Sequence, residues 1–208
     1  FYIDGYGKDF YVYNIKVEKN GNKEAYSKEQ KNLLLTAGLL SFYEQLEIFK
    51  THKEDLREYN IEKPLWIFVG SKVAGSGINS DVVEVIHFLD RITKDEEYLK
   101  ENVRRILEEN SGLVDKEGND IFSGKFEFIK NQDIKTILEN IYQKVFNGKG
   151  KLELYEIKGA SGEIGLKIST AEKYFGVINI GDVSSFKNLI SASGIEIKQD
   201  HLRQSLFL

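Results

Sequence analysis

One stretch limits what this chain can become more than any other: residues 63–91, KPLWIFVGSKVAGSGINSDVVEVIHFLDR. Pro64 is the only proline in the 208 residues, and Leu65, Trp66, Ile67, Phe68 and Val69 after it are all apolar and end at Gly70. A continuous apolar run of that length between breakers reads as a strand buried on both faces. Ser80 and Asp81 then offer side-chain oxygens to cap a helix, in which Val82, Val83, Val85, Ile86 and Leu89 recur at helical spacing. Strand, glycine-bearing loop and capped helix form the opening unit of an open α/β sheet, where ligands meet the loops at strand C-termini. The loop over 70–80 is therefore the candidate site.

That loop approaches two phosphate-binding motifs and satisfies neither. Gly70 and Gly75 have the separation of P-loop glycines, yet Ser76 and Gly77 stand where the motif needs lysine and then serine or threonine. Without the lysine, nothing in the loop reaches a terminal phosphate. Residues 75–80, GSGINS, mimic the dinucleotide fingerprint with Ser80 in place of its third glycine, and no ribose-binding acid follows before Asp95 and Glu96. A plain turn accounts for the loop better than a nucleotide site.

Composition sets outer limits. Lys and Arg total 29 against 33 Asp and Glu, a formal charge of −4, so no global basic field draws the chain to nucleic acid. The absence of cysteine excludes disulfides and thiolate metal sites and favours a cytoplasmic origin. The longest apolar stretch, residues 33–40, is too short to span a bilayer, so no membrane partner is expected. Methionine is absent even at position 1, which points to a piece of a longer protein.

Along the chain, residues 1–6 and 10–17 alternate around Gly7-Lys8-Asp9 as a β-hairpin or two edge strands, and residues 19–23 read as a turn. A long helix is predicted from Ser27 to about Lys53, apolar on so many sides that other elements must cover it. Gly38 in its middle costs about 1 kcal/mol relative to alanine, which points to a close contact there. After the helix capped by Ser80 and Asp81, another is predicted over 93–110 with Thr93 as cap, residues 112–124 as loop, and a further helix over 133–146. Residues 94–150 thus read as a mostly helical insertion. From Lys151 the pattern returns to β: a hairpin over 152–168, a buried strand over 176–181, a helix capped by Asp182 and closed by Gly194, and a further strand from Ile195. Two strand–loop–helix units in sequence favour a largely parallel sheet.

Other constellations have cheaper explanations than chemistry. Glu156-Ile157-Lys158 is the acid-x-lysine half of a metal-dependent nuclease site, but no Pro-Asp supplies the upstream acid. His52, His87 and His201 have no metal-ligand spacing, and His87 reads as a boundary residue of its helix. Arg104 and Arg105 lie among Glu101, Glu108 and Glu109 as a mixed-charge face. N-capping explains Asp182, Ser184 and Ser185.

Residues 60–72 (NIEKPLWIFVGSK), 80–85 (SDVVEV), 155–159 (YEIKG) and 174–183 (YFGVINIGDV), with 41–47 (SFYEQLE) in the long helix, together resemble the restriction (Res) subunit of type III restriction enzymes and its DEAD/DEAH-box helicase relatives. The resemblance covers most of the chain. It implies a fragment of an ATP-dependent translocase on duplex DNA, with two RecA-like motor domains and an endonuclease domain further on. Residues 1–60 would be a β-hairpin plus connector helix, and 61–208 the opening part of the second RecA-like motor domain, with the helical insertion at about 94–150. Residues 65–69 would form the strand of helicase motif IV, with Ser71 and Lys72 just after it contacting the DNA backbone. A hydroxyl and an ammonium at a strand end can bond phosphate without reading sequence.

ATP and magnesium would be held elsewhere in the parent protein, because this sequence has no Gly-Lys-Ser/Thr, no strand-borne Asp-Glu pair and no arginine-rich final motif. No catalytic, cofactor-binding or metal residue is therefore assigned, and the piece alone is expected neither to hydrolyse ATP nor to cut DNA. A modification methyltransferase subunit is an implied partner. The contrasting reading is a non-catalytic α/β module that docks onto another protein.

Overall fold

The computed structural model describes residues 15, 19–20, 23–24, 26–69, 81–180, 183–192 and 194–199. Its architecture is α/β: among these residues are six helices, a two-stranded ribbon and one four-stranded mixed sheet. Strands β1 (Lys19–Asn20) and β2 (Lys23–Glu24) pair antiparallel, so Lys19, Asn20 and Lys23 of the expected turn are strand residues. The strands expected over 1–17 lie outside the described residues except for Ile15, which packs half-buried against the core.

Helix α1 (Lys28–Thr51) begins with a reciprocal cap. The Gln30 amide donates to the Ser27 hydroxyl at 3.1 Å, and the Ser27 amide donates to Gln30 Oε1 at 2.8 Å. Its apolar centre buries Leu33, Ala37, Leu39, Leu40, Tyr43 and Leu46 against α3 (Asp81–Lys94) and α4 (Glu96–Leu107). A short α2 (Lys53–Arg57) follows α1, and α5 (Ile134–Lys144), capped by Asp133, completes the layer against α4. The polar atoms inside this layer are matched: Thr36 donates to the Asn32 carbonyl at 2.8 Å, and Asn102 donates to the Thr36 hydroxyl at 3.4 Å.

Thr93 does not cap α4. It belongs to the last turn of α3, where its hydroxyl donates back to the Leu89 and Asp90 carbonyls. Asp95 takes the cap, accepting from the Tyr98 amide at 3.0 Å. Between α4 and α5, residues 108–133 are built of turns with one isolated bridge, Val114 to Asp120, as the loop expected over 112–124 requires. Leu113, Phe122, Phe126 and Ile129 fasten it to the core.

The sheet comprises β3 (Leu152–Glu156), β4 (Glu163–Ile168), β5 (Gly176–Asn179) and β6 (Ile197–Gln199), with α6 (Val183–Ser191) between the last two. Its order is β5-β4-β3-β6. The expected hairpin is present, with Leu154 opposite Leu166. The largely parallel sheet is not: β3–β4 and β4–β5 are antiparallel, and only β3–β6 is parallel. The connections after β3 and β4 are too short for a crossover, whereas α6 gives the chain after β5 the length to cross the sheet. Strand β5, expected to be buried, lies at an edge with Val177 exposed.

The largest departure concerns residues 65–69. They belong to no strand and pair with no described one, and Leu65 and Ile67 are each 68 % exposed, Phe68 43 % and Val69 92 %. The expected doubly buried strand needs neighbours on both sides, and among the described residues no strand flanks the segment, whose Trp66 packs on helix α1. No described helix is long and apolar enough to cross a membrane.

Candidate functional site

Helix α1 and the chain that leaves it form a folded-back pair. After α2, Tyr59 and Asn60 turn the chain, with Asn60 at φ +52° and the Ile61 amide donating to the Leu56 carbonyl at 3.3 Å. Ile61 then lines an open cavity of about 420 Å³ with Phe49, Lys53, Glu54, Arg57, Asn60 and Glu62. Five residues on, the Trp66 indole stacks on Phe42 at 5.8 Å and lies over Gly38, where an added Cβ would stand 3.3 Å from the indole Cζ2. Phe68 folds onto the same indole at 4.4 Å.

Gly38, Phe42 and Phe49 are spaced by four and seven residues, so they share one face of α1. The helix rises about 16 Å from Gly38 to Phe49, and five extended residues from Ile61 to Trp66 cover about the same distance. Residues 61–69 therefore run back along α1, with Trp66 facing the helix, Leu65, Ile67 and Val69 exposed, and Phe68 against the indole but itself 43 % exposed. None of the backbone hydrogen bonds between described residues involves residues 62–69. The result is an apolar segment whose backbone groups find no partner among the described residues, a surface suited to pairing with another strand.

The outer face of the sheet is organised differently. Tyr155 donates its hydroxyl to Glu153 at 2.7 Å, and Lys198 of β6 donates to the same carboxylate at 2.6 Å. The Lys167 ammonium lies 4.6 Å from the Tyr155 ring centroid, and Tyr174 covers Gly165, where a Cβ would come within 2.6 Å of its ring. On β3 as well, Glu156 accepts from Lys187 of α6 and from Gln199 at 2.7 Å. Burial works to raise the Glu153 carboxyl, but hydrogen bonds from Lys198 and Tyr155 outweigh it and hold the group below the usual range. The Lys187 hydrogen bond does the same for Glu156 against slight desolvation.

Basic side chains elsewhere are similarly engaged. Arg104 pairs with Glu101, Arg105 bridges Glu29 and the Ser111 carbonyl, and Lys149 pairs with Glu96. These contacts leave mixed-charge surfaces, not concentrated positive ones.

Ser71 and Lys72 lie outside the described residues, as do the rest of the 70–80 loop, Asp182 and His201. Ser184 and Ser185 fall in the first turn of α6. His52 closes α1, its Nδ1 3.6 Å from Asp55, and His87 is half-buried on α3 as its boundary position predicts. Strand β3 ends at Glu156, so Lys158 falls in the following turn and not beside Glu156 on a strand face. Among the described residues no three metal-ligating side chains converge. Sequence reasoning missed Trp66 as an anchor, although the contact inferred at Gly38 was its signal.

Comparison with protein-family models, with curated proteins and with solved structures finds no match.

Proposed function

We propose that this chain is a non-catalytic α/β interaction unit that docks onto another protein by pairing its 65–69 edge with an extended, apolar strand of that partner. One observation carries the reading: Leu65, Ile67, Phe68 and Val69 are exposed large apolar side chains on a segment that Trp66 holds against α1. A partner strand would gain main-chain hydrogen bonds along the edge and cover apolar side chains at every second position.

The second reading is the one implied by the resemblance to type III restriction subunits and DEAD/DEAH-box helicases. It makes the chain an inter-motor connector and the opening part of a RecA-like domain, with ATP and magnesium bound elsewhere in the parent enzyme. DNA backbone would then be contacted by Ser71 and Lys72, and a methyltransferase subunit would be a partner. The parallel relation of β5 and β6, joined by α6, favours it as an element of an open α/β sheet. In that reading residues 65–69 pair with strands of the completed motor domain.

Fluorescence anisotropy separates the two. The first predicts binding of a labelled, alternating apolar peptide that is insensitive to salt and lost in Ile67→Asp, a solvent-facing change that spares the core. Duplex-DNA binding that weakens steeply with salt and is lost in Lys72→Ala would overturn it in favour of the motor reading.

A further inference from the structure

The two sides of α1 are held in different ways. Its inner side is locked to α3 and α4 by Leu33, Ala37, Leu40 and the Thr36–Asn102 pair, all buried. Its outer side is covered by residues 61–69, which beyond Ile61 share no backbone hydrogen bond with any described residue. What fastens them is a cluster of rings on a glycine: Trp66 between Gly38 and Phe42, with Phe68 against the indole. A segment that buries few side chains and has no hydrogen-bond ladder among the described residues opens at lower free energy than the core around it.

We propose that residues 61–69 form a releasable strap, with Trp66 in the Gly38 notch as its catch, whose opening uncovers the Gly38–Phe42 stripe of α1 while the helices stay folded. Asn60, already in the left-handed region, and the turn at Tyr59 lie where the strap leaves α2. The glycine is what admits the ring. A Cβ at position 38 would stand 3.3 Å from the indole, so the ring would have to shift by a few tenths of an ångström, while alanine there would improve the helix itself. Latch and helix thus respond in opposite senses to the same substitution. The device stands on packing alone and does not depend on a partner at residues 65–69.

Trp66 is the only tryptophan in the sequence, so indole emission reports the strap and far-ultraviolet circular dichroism reports the helices. In a urea titration of the full chain, the red shift of Trp66 should come at lower urea than the loss of helical signal. Gly38→Ala should move the Trp66 transition to still lower urea and leave the helical transition in place or move it higher. Phe42→Ala, which removes the stacking partner from a half-buried site, should raise acrylamide quenching of Trp66 at least twofold in native buffer with the helical signal unchanged. Coincident transitions in the wild-type chain, or a Gly38→Ala variant in which both signals shift together, would overturn the proposal. So would a Phe42→Ala variant with unchanged quenching.

Discussion

Tyr142 in the helical layer and Glu153 in the sheet each tie two elements together, and they do so under opposite conditions. Tyr142 is 2 % exposed and donates its hydroxyl to the Ile92 carbonyl at 2.8 Å, joining α5 to α3. Burial, aided by the charges of Glu96 and Asp95, pushes its hydroxyl up to about 12. Tyr43 on α1 is likewise raised to about 12, chiefly by burial, and donates to Gln132 at 3.1 Å. Glu153 joins β3 to β6 as a charged group near water, and its carboxyl is pulled down. The helical layer is thus held by apolar burial with neutral polar groups inside it. The β6 edge of the sheet is held by a short ladder and ion pairs.

The largest effects should come from the helical core. Leu40 is fully buried on α1, and Leu40→Ala should cost about 2–5 kcal/mol in urea unfolding. Ile197 on β6 is only half-buried, and Ile197→Ala should cost about 1 kcal/mol. Equal costs at the two sites would mean that the β6 edge is as deeply built into the fold as α1.

A smaller effect separates the regions by alkaline pH. Both tyrosines have folded values raised above the unfolded value of about 10, so their contribution is complete below pH ~10 and is lost as pH rises through the folded values. Helical circular dichroism should therefore decline between these limits. Tyr142→Phe gives up the Ile92 bond, at about 1 kcal/mol near neutral pH, and should flatten that alkaline slope. An unchanged slope would remove Tyr142 from the account.

The same division decides what the sequence discloses. The ends of α1 and α5 are written locally, in Ser27 with Gln30 and in Asp133 with Thr136, because a cap bonds residues three apart. The β3–β4 hairpin is legible for the same reason. Residues 65–69 are not, since an apolar run has one local pattern whether or not strands flank it, and only the missing neighbours decide its exposure. Edge or centre is equally invisible for β5, whose place follows from short links that force antiparallel neighbours. In 108–133 the buried Phe122 and Phe126 follow no period, because turns orient them, with Phe126 at φ +60°. Of the candidate site, only Gly38 gave a local sign, as a costly residue in mid-helix with a close contact to explain it.

The smallest effects belong to the β6 edge and sharpen the contrast by acid pH. Glu153 and Glu156 have folded values below the unfolded glutamate value of about 4.3. Their contribution is therefore present above that value and is lost as pH falls through the folded ones, the reverse of the tyrosines. Glu153→Gln removes the charge that Lys198 meets and that the Tyr155 hydroxyl bonds, and Glu156→Gln removes the charge that Lys187 and Gln199 meet while leaving one acceptor oxygen. Each change should cost less than about 1 kcal/mol, because these pairs are open to solvent. The loss should be local: amide hydrogen exchange at Ile197, Lys198 and Gln199 should speed up while the amides of α1 and α4 keep their protection. If exchange rises across the helices by the same factor, β6 is not a separately held edge, and the ion pairs stabilise the fold as one cooperative unit.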